Sequence, residues 1–395
     1  MRHIDVHKTM SISCNLFKIR TILCSSICII VFFFLNGCQS EKSNDNTLIQ
    51  FDVRASYPEK AIRLEDVADI EYLQLEFDEE FLYQRPPHII TSRKIITGFN
   101  GDILIFSREG KPLSKFNRLG SGPQDYPTIS QLLYDESLDE FYVRSQNKIV
   151  VYTTSGNFKR VIPLPNGTWM REIANFDSVT FLHYDNYDLY PARFSFISKE
   201  NGNVVATVSM PKDKNINVSF SQVSGNNVNI FTAPAYHFVR HNNGYLLTDF
   251  SLDTVYYLSN KKKLAPMLVR KPAIQSMDPI IYLNSFLEAG NYEFVSAITL
   301  KNDNNQLPRT YLMRDKKSGS VYRQNITFND YRGKQVTLSP ETIANTQKSK
   351  LGLIVLGLVE LQEANNENKL SGKLKELVEN SDDDANDIYM LLHFK

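Results

Sequence analysis

His237 and His241 stand four residues apart, the spacing that on a helix brings two imidazoles to one metal ion. The stretch that holds them, Tyr236-His237-Phe238-Val239-Arg240, is aromatic and β-branched and reads as a strand. Along a strand four residues span about 13 Å, too far for one ion. The pair is therefore a candidate for ligand contact, and no metal site is expected. A third histidine lies in His183-Tyr184-Asp185-Asn186-Tyr187-Asp188, which reads as a polar and aromatic loop. Aromatic faces beside carboxylates suit a sugar or a peptide, so His183, Tyr184, Asp185 and Tyr187 are candidate contacts. A solvated loop without function has the same composition. Arg85, in the segment 85–87, completes the loops expected to line a binding mouth: 85–87, 183–190 and 236–241.

Other groupings carry less chemistry. Asp382, Asp383, Asp384 and Asp387 lack the spaced acid and glycine pattern of a calcium loop and read as a solvated helix stop. The loop 120–126, Gly-Ser-Gly-Pro-Gln-Asp-Tyr, has no Lys-Ser/Thr for a phosphate. Its glycines are expected to supply positive φ, Pro123 to fix the next turn and Tyr126 to pack the corner. Neither Gly-x-Ser-x-Gly nor His-Glu-x-x-His occurs. No cofactor motif is seen. A pair of carboxylates for glycoside hydrolysis would meet only in the fold and stays open.

The four cysteines, Cys14, Cys24, Cys28 and Cys38, all lie near the start of the chain. Lys18 and Arg20 precede an apolar run over 21–35, and Leu35-Asn36-Gly37-Cys38 follows. A basic flank and a run too short for a comfortable membrane span are signal-peptide design. An apolar residue three before a cysteine and a small one just before it resemble a lipobox, with Asn36 departing from the usual small residue. Cleavage after residue 37 leaves Cys38 as the lipidated N-terminus, and then no disulfide, thiolate zinc site or cysteine nucleophile can form. An uncleaved single anchor is the alternative. Residues 38–47 are polar and read as a flexible tether.

Lys+Arg and Asp+Glu both number 44. Residues 1–37 hold four bases (Arg2, Lys8, Lys18, Arg20) and one acid (Asp5), so the chain beyond carries three more acids than bases. This balance argues against nucleic acid as a partner. With 42% apolar residues, 395 residues are enough for a large packed domain.

From about residue 48 the texture is β, with frequent aromatic and turn residues; the whole chain has 24 Phe and 20 Tyr. Residues 94–106 read as strand, Asn-Gly turn, strand, and 107–116 add another turn and strand. Residues 139–162 replay the unit, and weaker copies occupy 176–210, 236–269 and 294–328. Repeats of this kind suit the blades of a propeller, whose sheets stack face to face around an axis; a large sandwich is the other way to use so many strands. Residues 351–358 read as a buried strand, 371–379 as an amphipathic helix and 387–395 as a last strand. That last strand is expected to pair with 70–77 and close the ring.

The order of four motifs resembles the six-bladed β-propeller lipoproteins of the Bacteroidetes over residues 50–395. These are the strand Gly101-Asp102-Ile103-Leu104-Ile105-Phe106; the 120–126 loop, with Asp125 where Glu is common; Asp253-Thr254-Val255-Tyr256; and Asp383-Asp384-Ala385-Asn386-Asp387-Ile388, where the family's Asn-Pro is disturbed. The resemblance implies an envelope location and supplies no catalytic residue. The expectation is an all-β, six-bladed propeller over 48–395 with a short helical insertion near the C-terminus. The expected role is a binding module held to the membrane, the outer one by expectation, through lipid on Cys38, for an unidentified glycan, peptide or protein. A propeller enzyme such as a metal-dependent lactonase, lyase or glycosidase is the alternative, and a structural part of a membrane assembly is a third.

Overall fold

In the computed structural model, Asn100 and Gly101 adopt φ of 48° and 89°. Two successive positive values make the turn that matches strand twist, and here they join Lys94–Phe99 to Asp102–Ser107. A side chain on Gly101 would start 2.9 Å from the Leu119 Cβ, a second reason for glycine there. The structure describes residues 48–395 except 84–86, 88, 165–171, 186–191, 212–215, 217–218, 225–226, 233–235, 302–306, 344–349 and 383.

Six antiparallel sheets follow one another along the chain. Blade I comprises Ile89–Ile90, Lys94–Phe99, Asp102–Ser107 and Pro112–Asn117. Blade II comprises Gln131–Asp135, Glu140–Ser145, Lys148–Thr153 and Phe158–Pro163. Blade III comprises Glu172–Asn175, Thr180–Tyr184, Phe194–Ser198 and Val204–Thr207. A separate hairpin, Ser219–Ser224 with Asn227–Thr232, precedes blade IV. Blade IV runs through Phe238–His241, Gly244–Leu247, Thr254–Ser259 and Leu264–Lys271. Blade V runs through Ile281–Ala289, Tyr292–Thr299, Arg309–Asp315 and Val321–Thr327. Blade VI has Leu351–Leu356 inside, Ile388–Phe394 in the middle and Ala68–Gln74 outside.

Period-two alternation explains why the sheets form a ring. Ile96, Ile103 and Ile105 of blade I pack with Phe141, Val143 and Val150 of blade II. The residues between them, Ile95, Leu104 and Phe106, face the other way and pack with Leu73, Tyr389 and Leu391 of blade VI. Equivalent apolar layers join II to III, III to IV, IV to V and V to VI. Each interior strand is thus apolar on both faces, and a fully buried Phe or Leu in such a layer contributes about 2 kcal/mol.

The ring closes through the chain ends as the sequence leads one to expect. Residues 388 to 394 pair antiparallel with 74 to 68, from Ile388 opposite Gln74 to Phe394 opposite Ala68. Two further N-terminal strands extend other blades. Ile49–Asp52 lies parallel to Leu264–Lys271, and Glu59–Arg63 lies parallel to Val321–Thr327.

The helical insertion sits between the inner and middle strands of blade VI. It contains the expected helix, here Gly372–Glu379 (α2), and a preceding one, Leu358–Asn366 (α1). Leu361, Ala364, Leu374 and Val378 bury the pair against the layer between blades V and VI. Asp387 takes a helix-capping role, accepting the Leu358 N–H at 3.0 Å. Asp382 and Asp384 are exposed, and Asp383 lies outside the described residues.

The 120–126 loop differs from expectation in one respect. Neither Gly120 nor Gly122 has positive φ. The Asp125 carboxylate lies 2.6 Å from where either Cβ would stand, so a side chain at either position would displace it from the Gly122 N–H that it accepts at 3.1 Å. Tyr126 does pack the corner. It is buried, its hydroxyl donates to the Gly101 carbonyl at 2.6 Å and accepts the Arg118 N–H at 3.0 Å.

Candidate ligand-binding channel

The sequence candidates divide between the blade cores and the ring axis. His183 and Tyr184 are not in a loop: the strand Thr180–Tyr184 continues through both, and both are fully buried. Asp185 follows the strand and is also buried, its N–H donating to the Arg193 carbonyl at 2.9 Å. The alternation Phe181, His183 against Leu182, Tyr184 is a two-sided buried strand that polar residues disguise. His183 Nδ1 lies 2.9 Å from the Ser195 hydroxyl, and burial, with the nearby Arg144 charge, holds the imidazole down at about 4. Tyr184 donates to Asp249, which also pairs with Arg193, and its ring stacks on His237 at 3.5 Å and 17°. These groups brace blade III against blade IV. Arg85 and Tyr187 lie outside the described residues.

His237 and His241 flank the inner strand of blade IV and do not share a site. His241 is at the far end, with Nε2 3.8 Å from a Glu288 oxygen and 3.0 Å from the Asn242 amide. Burial pushes its imidazole down to about 4 despite Glu288. Among the described residues no three His, Cys, Asp or Glu side chains gather as a metal set.

The first strand of each blade faces the axis, and there the ring encloses two successive chambers. One, of about 210 Å³, is lined by Ile89, Gln131 and Tyr134, by Glu172 to Asn175, and by Tyr236, Arg240, Tyr245 and Ile343 among others. The next, of about 440 Å³, is lined by Arg240 to Asn243, Phe286 to Glu288, Ile343, Lys350 and Phe394. Arg240 and Ile343 belong to both linings.

Glu172 is the unusual group in the first chamber. It opens the inner strand of blade III and is partly buried at the chamber wall. Among the described residues its carboxyl has one hydrogen bond, from the His237 N–H at 3.2 Å to Oε2. Burial pushes the carboxyl up to about 8, against that hydrogen bond and the charge of Arg144. At the other end of the same short strand, Asn175 donates to the Tyr134 carbonyl at 3.0 Å, while its buried Oδ1 has no hydrogen-bond partner among the described residues. Gln131 is tied to the Ile173 backbone, its amide N–H donating at 2.7 Å and its oxygen accepting at 3.1 Å.

Arg240, shared by the two chambers, stacks on the Tyr245 ring at 4.7 Å. In the second chamber Glu288 is already paired with Lys316 at 2.6 Å. Lys350 is exposed and makes no ion pair among the described residues. Glu172, Asn175, Arg240 and Lys350 carry no motif in the sequence. Each sits in an ordinary strand or turn, and only ring closure brings them to one axis.

The family described as Domain of unknown function (DUF4934) matches residues 48–393. The chain belongs to this DUF4934 family. Its match begins where the described ring begins and ends within the closing strand. No curated protein matches the sequence. Among solved structures, the DUF4934 chain is similar to a Bacteroides fragilis protein whose name makes it a candidate exported protein. That likeness has 14% identity and a TM-score of 0.58, and covers 88% of this chain and all of that one. At such identity it shows the fold. The Neurospora crassa Pan2 WD40 domain overlaps with 11% identity and a TM-score of 0.33, over 76% of this chain and 85% of that one. A catalytically inactive virginiamycin B lyase from Staphylococcus aureus overlaps with 12% identity and a TM-score of 0.27, over 64% and 98%.

Proposed function

We propose that this DUF4934 protein is a binding module of the cell envelope, lipid-anchored through Cys38, that takes its ligand in the axial channel. The observation that carries the binding reading is Glu172: a partly buried carboxyl at the wall of a chamber, whose one hydrogen bond among the described residues comes from the His237 N–H. Buried polar groups are normally satisfied, and those left open are where ligands attach. The basic flank, the apolar run and the Leu35-Asn36-Gly37-Cys38 sequence support export and lipidation. The exported character named for the Bacteroides fragilis protein of like fold agrees with that placement.

A propeller enzyme is the second reading, and it draws on the same residue. A carboxyl that stays protonated near neutrality has the form of a general acid. Glycoside hydrolysis needs a second carboxylate on the opposite side of the bond. Among the described lining residues of that chamber Glu172 is the only carboxylate, so binding comes first.

Two measurements test the proposal. Cells making the full chain should incorporate labelled fatty acid and carry the protein in the membrane fraction, and Cys38→Ser should abolish both. Equal labelling of the variant refutes the anchor. For the channel, Ala174→Phe fills the first chamber from its wall. It should remove ligand-induced thermal stabilisation seen across a panel of glycans and peptides. A ligand that stabilises both forms equally refutes the channel.

A further inference from the structure

Blades IV and V carry opposite charge at the two ends of the ring. The strands of a blade alternate in direction, so the turns after its first and third strands lie at one end. In blades IV and V these turns are 242–243, 260–263, 290–291 and 316–320. They read Asn-Asn, Asn-Lys-Lys-Lys, Gly-Asn and Lys-Lys-Ser-Gly-Ser, five lysines with no acid among them. Lys316 is held by Glu288 at 2.6 Å, and Lys262 lies 4.0 Å from Asp177. Lys261, Lys263 and Lys317 are exposed and make no ion pair among the described residues. Lys350 stands at the same end, lining the second chamber with Asn242, Asn243 and Glu288.

At the other end the balance is reversed. The turn 248–253, Thr-Asp-Phe-Ser-Leu-Asp, has two acids and no base. The helical insertion leaves and returns at that end too. Leu351 pairs with His393 near the lysine end, where the Gly290 N–H donates to the Lys395 carbonyl at 3.0 Å, and Leu356 pairs with Ile388 at the far one. Residues 357–387 hold nine acids and three bases.

The N-terminal strand adds a direction. Ile49–Asp52 lies parallel to Leu264–Lys271 with Ile49 opposite Leu268, so the chain comes to it from the side of the 260–263 turn. Leu268 is five strand residues from Lys263, about 17 Å. The ten residues 38–47 reach about 33 Å when extended, enough to pass the lysines.

We propose that the end of the ring bearing Lys261, Lys263, Lys317 and Lys350 rests on an anionic lipid surface, that of the membrane holding the Cys38 lipid, with the acidic end turned away. This rests on the membrane anchor and adds the orientation of the ring upon it. Lysines beside anionic headgroups are attracted to them and acids are repelled. Both effects fade beyond a Debye length, about 10 Å at 0.1 M salt, so only the end nearest the surface feels them. The opposed charges of the two ends therefore select one orientation.

The test is lysine footprinting. Protein from the membrane fraction of cells making the full chain is inserted into preformed vesicles of phosphatidylcholine, alone or mixed with phosphatidylglycerol. A membrane-impermeant acetylating ester is added, and mass spectrometry reads each lysine. Lys261, Lys263, Lys317 and Lys350 should react at least fivefold more slowly in the anionic vesicles. In 1 M salt, where charge is screened within about 3 Å, that protection should vanish. Lys271 and Lys301, exposed at the opposite end of blades IV and V, should react equally in both vesicles. Lys261→Glu combined with Lys263→Glu and Lys317→Glu changes exposed turns alone; it should leave the thermal melt unchanged and remove the protection of Lys350. Protection that is absent, equal at the two ends, or kept at Lys350 in the charge-reversed protein overturns the proposal. Fatty-acid labelling of the same preparation separates this from the anchor. Label without protection leaves the anchor and removes the orientation; protection without label leaves the lysine surface and removes the anchor.

Discussion

Replacing Glu172 by Gln should make the protein more stable in alkaline solution and leave it little changed in acid. The carboxamide keeps the shape and can still accept the His237 N–H, and what it removes is the ionisation. The folded carboxyl titrates at about 8, against an ordinary value of 4.5. Below 4.5 both folded and unfolded chains hold the proton, so the group gives no pH dependence. Between 4.5 and 8 the unfolded chain has released it and the folded chain has not. Stability therefore falls as pH rises, by about 1.4 kcal/mol per pH unit. Above 8 both states are ionised and the full penalty, roughly 5 kcal/mol at most, is reached. Water in the chamber relaxes the charge, so an observed difference of about 2–5 kcal/mol is expected at pH 9. Urea midpoints for both proteins from pH 4.5 to 9, with unchanged slopes, measure it. Parallel curves with a constant offset would mean that Glu172 is solvated like a surface acid, and the reasoning about the chamber would be wrong.

Three further outcomes follow from the same geometry. His183 and His241 are each held near 4, below the ordinary 6.5, so the stability they allow is lost as pH falls from 6.5 toward 4. Set against Glu172, this predicts a stability maximum near pH 6.5, and His183→Gln with His241→Gln should flatten the acid limb of the midpoint-against-pH curve. Lys199 and Asp135 form a buried pair at 2.9 Å between blades III and II; Lys199→Met should destabilise by about 3–5 kcal/mol in urea, and adding Asp135→Asn should restore part of it. Deleting residues 388–395 removes the middle strand of blade VI and should abolish the cooperative calorimetric transition, whereas a retained transition would show that the ring does not depend on closure.

Local rules made much of the ring legible. Asn100-Gly101 announces its hairpin because few other pairs tolerate two positive φ values. The apolar alternation in 388–394 announces a strand needing neighbours on both faces, and pairing with 68–74 supplies them. The parallel additions Ile49–Asp52 and Glu59–Arg63 were not legible, since no turn links them to partners more than two hundred residues away. The helix Leu358–Asn366 continues an apolar run that reads as strand, and its cap, Asp387, comes from beyond the second helix. The site was the least legible part. His183 and Tyr184 drew attention as a polar-aromatic cluster, yet that composition also describes a core strand with internal hydrogen bonds. Glu172 and Lys350 looked like any surface acid and base. What distinguishes them is position on inner elements of the ring, which no local pattern encodes.

The account stands or falls on occupancy of the channel. The most direct measurement is a crystal structure of the protein grown with whichever glycan or peptide of the panel raises its melting temperature. Density for that ligand in the first chamber, within hydrogen-bond distance of Glu172, is the predicted result. An axis holding water alone, with the ligand on the outer loops or edge strands, would contradict it.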